Sequence, residues 1–454
     1  MESPSPLIVL PNEVQWQRTM SNIDAFMKKL RISQELRDTH KDIVYFVTSN
    51  TSIFRHPARH RCRALFEAIE RVFHGDLDRF TTTVNDVLQA ITELRGKDIP
   101  QLPVCCSEGT FREVTLSRYQ VLGLVGAMFF GCLPSQPCPE SRPDCDFSFI
   151  REEDVEKSCC LLSYFRSITD STEVISARKE YIRISRGAPS MPENVTGCSK
   201  LCDVVICDNG GVEDAHGLLQ ADFANRYIGG GVLEGGNVQE EIRFAICPEL
   251  IVTMLLCEVM DDREAIRVDG ATRFSNYTGY GYSFKWAGEY DDPTPLGRDS
   301  IRDVSLFCVD ALPSPGVEQF SGKLIERELR KFYCGVCKYP SEEGNGSLRG
   351  IAIGNWGCGV FGGDPQLKFV IQWAATSLAG RPTVQYYRYG EKRLELLEEF
   401  IETMRSAEVR LDKFLEMMKS SRILPVNNGE SVELSREDVA NSLNLPAMYK
   451  ASYK

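Results

Sequence analysis

The sequence predicts an α/β fold, a sheet covered by helices on both faces, with an all-helical region ahead of it and a helical extension behind it. Three observations carry that expectation. From Trp16 to about Phe165 apolar residues recur at helical spacing; from about Tyr181 short β-rich runs alternate with helical ones; beyond Gly390 one long charged, amphipathic stretch follows. Strands that alternate with helices pack as a helix-covered sheet, because each element must bury its apolar side against another layer. The expected divisions are 1–170 for the helical accessory region, 171–395 for the α/β body and 396–454 for the C-terminal helix and tail.

In the first region the helical period shows in Ile23-Phe26-Met27-Leu30, in Leu65-Ile69-Val72-Phe73 and in Phe80-Val84-Val87-Leu88-Ile91-Leu94, spacings that line one face of a helix. A further helix is expected over Tyr119–Leu133, capped by Thr115 or Ser117. Another is expected over Glu152–Ile168, with the proline-rich Pro134–Pro143 as a loop between them. Strand candidates in the body are Leu201–Cys207, Leu218–Phe223, Ala265–Phe274, Val304–Val309, Leu348–Ile353 and Thr383–Tyr389. Helices are expected at about Pro248–Met260, Val317–Cys334 and Asp364–Leu378, then as one long helix over Lys392–Met418, with a mobile tail from Ser420 to about Asp438.

Lysine plus arginine total 52 and aspartate plus glutamate 64, a net charge of −12. Non-specific nucleic-acid affinity comes from Lys and Arg displacing counterions, so this acidic chain, with no basic run, is not expected to bind nucleic acid directly. Its 17 cysteines are scattered through strands and helices, which points to buried free thiols in a reducing compartment. The longest apolar run, Val121–Leu133, is too short to span a bilayer, and no secretory h-region stands at the N-terminus. The expectation is a soluble intracellular protein, nuclear or cytoplasmic, without a membrane segment. His56, His60 and Cys62 have ligand-like spacing but lack a fourth partner, and Cys334 and Cys337 form a lone CxxC, so no metal site is expected.

The chemistry concentrates in Gly229–Phe244, GGGVLEGGNVQEEIRF. Glycines bring backbone N–H groups close to a ligand. Glu240 and Glu241, directly behind them, supply two carboxylates for acid–base work. Each feature alone reads equally as a surface turn opening a helix with solvated glutamates; together with Gln239 in one short run they favour a site. Adjacent carboxylates cannot share a pocket from a regular strand, so irregular backbone or a helix start is expected at Glu240. A second glycine loop, Gly354–Asp364, follows a strand and opens into a helix, an arrangement suited to phosphate. It fits neither a dinucleotide fingerprint nor a P-loop, which leaves a nicotinamide-cofactor oxidoreductase as the weakest reading. Two such loops in one α/β body suggest a diphosphate clasped between them. Val212, Glu213, Asp222 and Asn225 sit at strand ends, where α/β folds place ligands, although Asp222 and Asn225 read also as turn or cap residues. Tyr277, Tyr280 and the Tyr386–Tyr389 cluster offer faces for a base, or are half-buried strand tyrosines.

These residues resemble the poly(ADP-ribose) glycohydrolase family, whose signature is a Gly-Gly-Gly run, a short spacer and Gln-Glu-Glu, here Gly229–Gly231 and Gln239–Glu241. Asp222-Phe223-Ala224-Asn225 ahead of the signature, and Tyr277–Tyr280 and Gly354–Asp364 behind it, come in the family's order; the Tyr164-Phe165 helix and the Tyr387–Gly390 strand end are also similar. The resemblance spans roughly residues 110–400. It implies a macrodomain-like mixed sheet flanked by helices that binds ADP-ribose. Carried over, Glu241 would be the acid–base residue and Glu240 its partner on the ribose hydroxyls. Asp222 and Asn225 would help hold that ribose, and Gln239 with Gly229, Gly230 and Gly231 would line the site. Gly357–Phe361, including Gly359 and Val360, would wrap the diphosphate, with Phe361 packing on the ligand and Asn355 nearby. Val212 and Glu213 would meet the adenine, and Tyr280 with Tyr387, or Tyr389 two residues on, would shape that pocket. The implied reaction is hydrolysis of ribose–ribose bonds in poly(ADP-ribose), releasing ADP-ribose through an oxocarbenium-like transition state, with no cofactor and no metal. The polymer and ADP-ribosylated proteins would be the partners of a monomer. The alternative is a non-catalytic ADP-ribose reader, which has no need of two carboxylates beside a polyanion.

Overall fold

The computed structural model describes residues 7–17, 20–21, 63–105, 107–134, 136, 139–192, 200–342 and 347–420, without the side chains of 63, 419 and 420. The helix expected at Ile23–Leu30, the His56–Cys62 cluster and the tail expected to be mobile lie outside these residues.

Eight strands form one mixed sheet. Its order is β1 (Thr110–Ser117), β2 (Tyr181–Ala188), β5 (Ala265–Asp269), β8 (Ser305–Cys308), β4 (Leu219–Asp222), β9 (Ile351–Ile353), β10 (Thr383–Tyr387) and β3 (Asp203–Cys207). The five strands from β8 to β3 run parallel, and β5, β2 and β1 extend that sheet antiparallel, each to its neighbour. Successive side chains enter opposite faces. On β8, Leu306 and Cys308 join the core beneath the N-terminal helices, while Phe307 and Val309 join the core on the other face. On β4, Leu219 and Ala221 take the second face, which leaves Gln220 and Asp222 pointing to the first. There Gln220 accepts from Arg243 at 2.8 Å. The helices Leu77–Glu93, Arg118–Phe129, Val155–Ile168 and Gln239–Ile246 cover the first face; Gly322–Val336, Pro365–Leu378, Leu397–Ser406 and Leu411–Ser420 cover the second.

Ser117 is the cap of the Arg118–Phe129 helix: its hydroxyl accepts from Gln120 N at 3.1 Å, and the Gln120 amide oxygen accepts from Ser117 N at 2.9 Å, a reciprocal pair that satisfies two orphan donors. Arg118, the next residue, is buried between Glu249 (2.7 Å) and Glu180 (2.9 Å). It thereby joins the helical layer to the chain around the sheet.

Four expectations need correction. Strand β1 falls inside the region expected to be all helical and forms one edge of the sheet. The strand expected over Ala265–Phe274 stops at Asp269, because Gly270 turns the chain at φ +95. A separate hairpin of β6 (Ser275–Thr278) and β7 (Lys285–Glu289) follows instead. The helix expected at Pro248–Met260 is a 3-10 turn, Pro248–Ile251, and a short helix, Val252–Leu256. The long helix expected over Lys392–Met418 is broken into Lys392–Leu394, Leu397–Ser406 and Leu411–Ser420, with Glu408 in the left-handed region at φ +47. The thirteen described cysteines are all free and nine are buried, so they pack as small apolar side chains. Among the described residues no helix is long and apolar enough to cross a membrane.

Candidate active site

The carboxyl ends of the parallel strands converge on one side of the sheet. Beyond β4 comes the Asp222–Asn225 turn, beyond β9 the Gly354–Asp364 loop, beyond β10 Tyr389, and beyond β3 the Val212–Asp214 turn. This is where open α/β sheets bind ligands.

The glycine run lies against the start of the Gln239–Ile246 helix, which begins one residue before the start expected at Glu240. A helix start lets adjacent residues turn toward the same loop, and both glutamates do so. Glu240, 2% exposed, accepts from Asn225 N at 2.7 Å and Gly229 N at 2.6 Å. Glu241, 7% exposed, accepts from Gly231 N and Val238 N, each at 2.9 Å. The second bond places a Glu at the third helical position, where its carboxylate reaches back to the cap N–H. Gly230 sits between them at φ +49: a Cβ there would lie 2.5 Å from Glu241 Oε1 and 2.7 Å from Glu240 Oε2. Only glycine fits that backbone and leaves both oxygens in place. Gln239 braces the neighbouring turn, accepting from Phe223 N at 2.8 Å and donating to Ala221 O at 3.1 Å.

Asp222 is fully buried behind this pair, and neither oxygen meets a donor in hydrogen-bonding geometry among the described residues. Its register partner on β8, Cys308, offers a weak thiol contact instead. Burial raises the Asp222 pKa, and the Glu241 charge adds to that, against the pull of Cys308 and Arg243. Burial first, then the Asp222 and Glu241 charges, hold Glu240 well above the ordinary carboxylate range, although its two N–H donors oppose them. Three carboxyl groups thus crowd a dry corner where they cannot all ionise without mutual repulsion.

The Gly354–Asp364 loop starts against Tyr389 and Phe223, 2.9 and 3.4 Å from where a Cβ on Gly354 would lie. Its own backbone bonds use the N–H groups of Trp356, Cys358, Gly362 and Gly363. The N–H groups of Gly357, Gly359, Val360 and Phe361 donate to no acceptor among the described residues. Val360 is exposed and Phe361 half-buried against the second core. The helix start behind the loop is already capped by the Asp364 carboxylate, which accepts from Leu367 N at 2.8 Å. Among the described residues the loop's unspent donors are therefore the N–H groups of Gly357, Gly359, Val360 and Phe361. Asn355 is spent on structure, its amide donating to Arg388 O at 2.9 Å and accepting from Tyr386 OH at 2.9 Å.

Beside that loop, Tyr389 OH accepts from Val212 N at 3.1 Å, and Tyr277 OH donates to Glu213. Tyr387 is 4% exposed beneath the Val212 turn, whereas Tyr389, held at φ +51 and stacked 6.1 Å from it, is 49% exposed. Of the two tyrosines left open by the sequence, Tyr389 is therefore the one presented at the surface. Tyr280 lies beside the Gln239 backbone and Glu241. Sequence reading passed over Lys157, whose buried ammonium donates to Glu234 O at 2.6 Å and so holds the spacer of the glycine loop. Among the described residues no group of three or more His, Cys, Asp or Glu side chains is placed to hold a metal ion.

Fold and site together define an α/β protein with a carboxylate pair beside the carboxyl ends of its parallel strands. Residues 192–396 match the family model described as "Poly (ADP-ribose) glycohydrolase (PARG), Macro domain fold", and residues 78–186 match the helical domain of the same family. The chain belongs to the poly(ADP-ribose) glycohydrolase family. It is 36% identical over 285 residues to the probable poly(ADP-ribose) glycohydrolase 2 of Arabidopsis thaliana, a match covering 54% of this chain and 55% of that one. It is 33% identical over 370 residues to poly(ADP-ribose) glycohydrolase 1 of Caenorhabditis elegans, covering 76% and 46%. It is 33% identical over 332 residues to poly(ADP-ribose) glycohydrolase 2 of the same worm, covering 69% and 65%. The chain thus spans from about half to just under two thirds of the length of these relatives.

Proposed function

We propose that the chain hydrolyses the ribose–ribose O-glycosidic bonds of poly(ADP-ribose) and releases ADP-ribose. The observation that carries this is the placement of Glu240 and Glu241 oxygens within 2.7 Å of one point above Gly230, next to the unpartnered, buried Asp222. A module that only bound a polyanion would gain nothing from three clustered carboxyls; bond cleavage uses them. The relatives' names supply the substrate.

Cleavage needs a proton on the departing ribose oxygen and stabilisation of an oxocarbenium-like sugar. Glu241, on the Tyr280 side, donates that proton and then activates water. Glu240, pinned by two N–H groups and with its pKa raised by burial and like charge, binds the ribose hydroxyls together with Asp222 and Asn225. The oxygens of Glu240 and Glu241 lie closer together than the ~6.5–9.5 Å at which two opposed carboxyls leave room for a water. The diphosphate lies along the free amides of Gly357–Phe361, and the adenine between Glu213 and Tyr389.

The test is digestion of poly(ADP-ribose) by the purified chain, with products separated by chromatography. ADP-ribose as the released product supports the proposal. Tight polymer binding without release would make the chain a reader instead.

A further inference from the structure

The β6–β7 hairpin stands apart from the eight-stranded sheet, and its tip is a fixed turn. Gly279 sits at φ +76, where a Cβ would lie 1.9 Å from Ser283 O, so the turn closes only with glycine there. Tyr280 N donates to Ser283 Oγ at 3.0 Å, Ser283 Oγ to Tyr280 O at 2.8 Å, and Phe284 N to Gly281 O at 3.1 Å. Phe284 is buried and packs on Tyr277 at 5.9 Å. Gly281 N donates to Asn237 O at 2.8 Å, which fastens the tip to the loop that carries Glu240 and Glu241.

On this braced turn Tyr282 is 109% exposed and Tyr280 beside it is 57% exposed. Lys285, paired in register with Thr278, is exposed and makes no ion pair among the described residues. A single exposed tyrosine on a surface is ordinary. An exposed aromatic and a free cation on a braced turn beside the carboxylates make a nucleotide platform: bases of any sequence stack on aromatic faces, and phosphates meet the cation.

Resting on the proposed hydrolysis, we infer that Tyr282 and Lys285 form a second nucleotide subsite, which stacks the adenine of the polymer unit on the leaving side of the scissile bond. The unit being released fills the cleft inward from Glu241 to Glu213. The next unit must leave at Glu241, and the Gly281–Asn237 bond places the hairpin tip there, next to Gly236, where a Cβ would lie 3.0 Å from Glu241. The subsite therefore acts on chains of two or more units and not on monomeric ADP-ribose.

The experiment compares wild type with Tyr282→Ala, Tyr282→Trp and Lys285→Ala in the full chain, reading KM on defined ADP-ribose oligomers and Kd for monomeric ADP-ribose by calorimetry. Tyr282→Ala should raise the oligomer KM roughly tenfold, as loss of one base-stacking platform does, with the ADP-ribose Kd within about twofold of wild type. Tyr282→Trp should restore KM, and Lys285→Ala should reduce its salt dependence. An unchanged oligomer KM in Tyr282→Ala, or an ADP-ribose Kd that rises as far as KM, would overturn the subsite. Should the wild type release no product, the hydrolysis fails separately; the ratio of oligomer to monomer affinity then decides the subsite, and Tyr282→Ala must lower it.

Discussion

Gly230→Ala is the sharpest perturbation of the carboxylate corner that leaves every ionisable group in place. Two costs can be separated. An alanine at φ +49 adopts a left-handed conformation, which costs about 1–2 kcal/mol of stability. Its Cβ would also stand 2.5 Å from Glu241 Oε1 and 2.7 Å from Glu240 Oε2, where ordinary contact begins at 3.4 Å. Both side chains must retreat by most of an ångström, and each would strain the N–H bonds that orient it. A misplacement of ~1 Å in a reacting group costs roughly a hundredfold in rate. Gly217→Ala supplies the control: Gly217 has φ +78, but a Cβ there meets nothing within 4 Å. Urea melts should show both variants losing similar stability, while kcat/KM on poly(ADP-ribose) falls about a hundredfold in Gly230→Ala alone. Equal turnover in the two variants would refute the claim that Gly230 sets the carboxylate geometry.

Other expectations follow from the same contacts. The raised pKa values of Asp222 and Glu240 keep protons on the folded state that the unfolded chain has already released, so stability falls as pH rises above about 4. Asp222→Asn should therefore lose less Tm than wild type between pH 5 and pH 8; parallel losses would remove Asp222 from that linkage. Arg118→Met leaves Glu249 buried without its ion-pair partner and should cost ~3–5 kcal/mol in urea unfolding, part of it recovered by Glu249→Gln; a loss under ~1 kcal/mol would contradict this. Tyr389→Ala should weaken ADP-ribose binding by ~1–3 kcal/mol if its exposed ring carries the adenine, whereas an unchanged Kd would leave it as support for the Val212 turn.

The sequence made the parallel half of the sheet legible because its inner strands β8, β4 and β9, largely buried, read as short apolar runs. The antiparallel edge was harder. β1 buries only Val114 and Leu116, too brief an alternation to stand out. β2 carries Arg186, fully buried and paired with Glu264, so a charge occupies a core position and masks the pattern. The break at Glu408 has neither glycine nor proline to announce it. In the site, the glycine run and paired glutamates could be read locally, because they lie within one stretch of chain. The contacts of Tyr277 with Glu213, Tyr389 with Val212 and Lys157 with Glu234 join segments 64, 177 and 77 residues apart. No local pattern encodes those.

The central claim is that Glu241 is the proton donor and Glu240 its positioning neighbour. Glu241→Gln and Glu240→Gln, measured side by side for poly(ADP-ribose) turnover and ADP-ribose affinity, test it most directly. Glu241→Gln should retain ADP-ribose binding while turnover falls by about 10²–10⁴ or more, and Glu240→Gln should lose affinity together with rate. Near-normal turnover by Glu241→Gln would contradict the assignment outright.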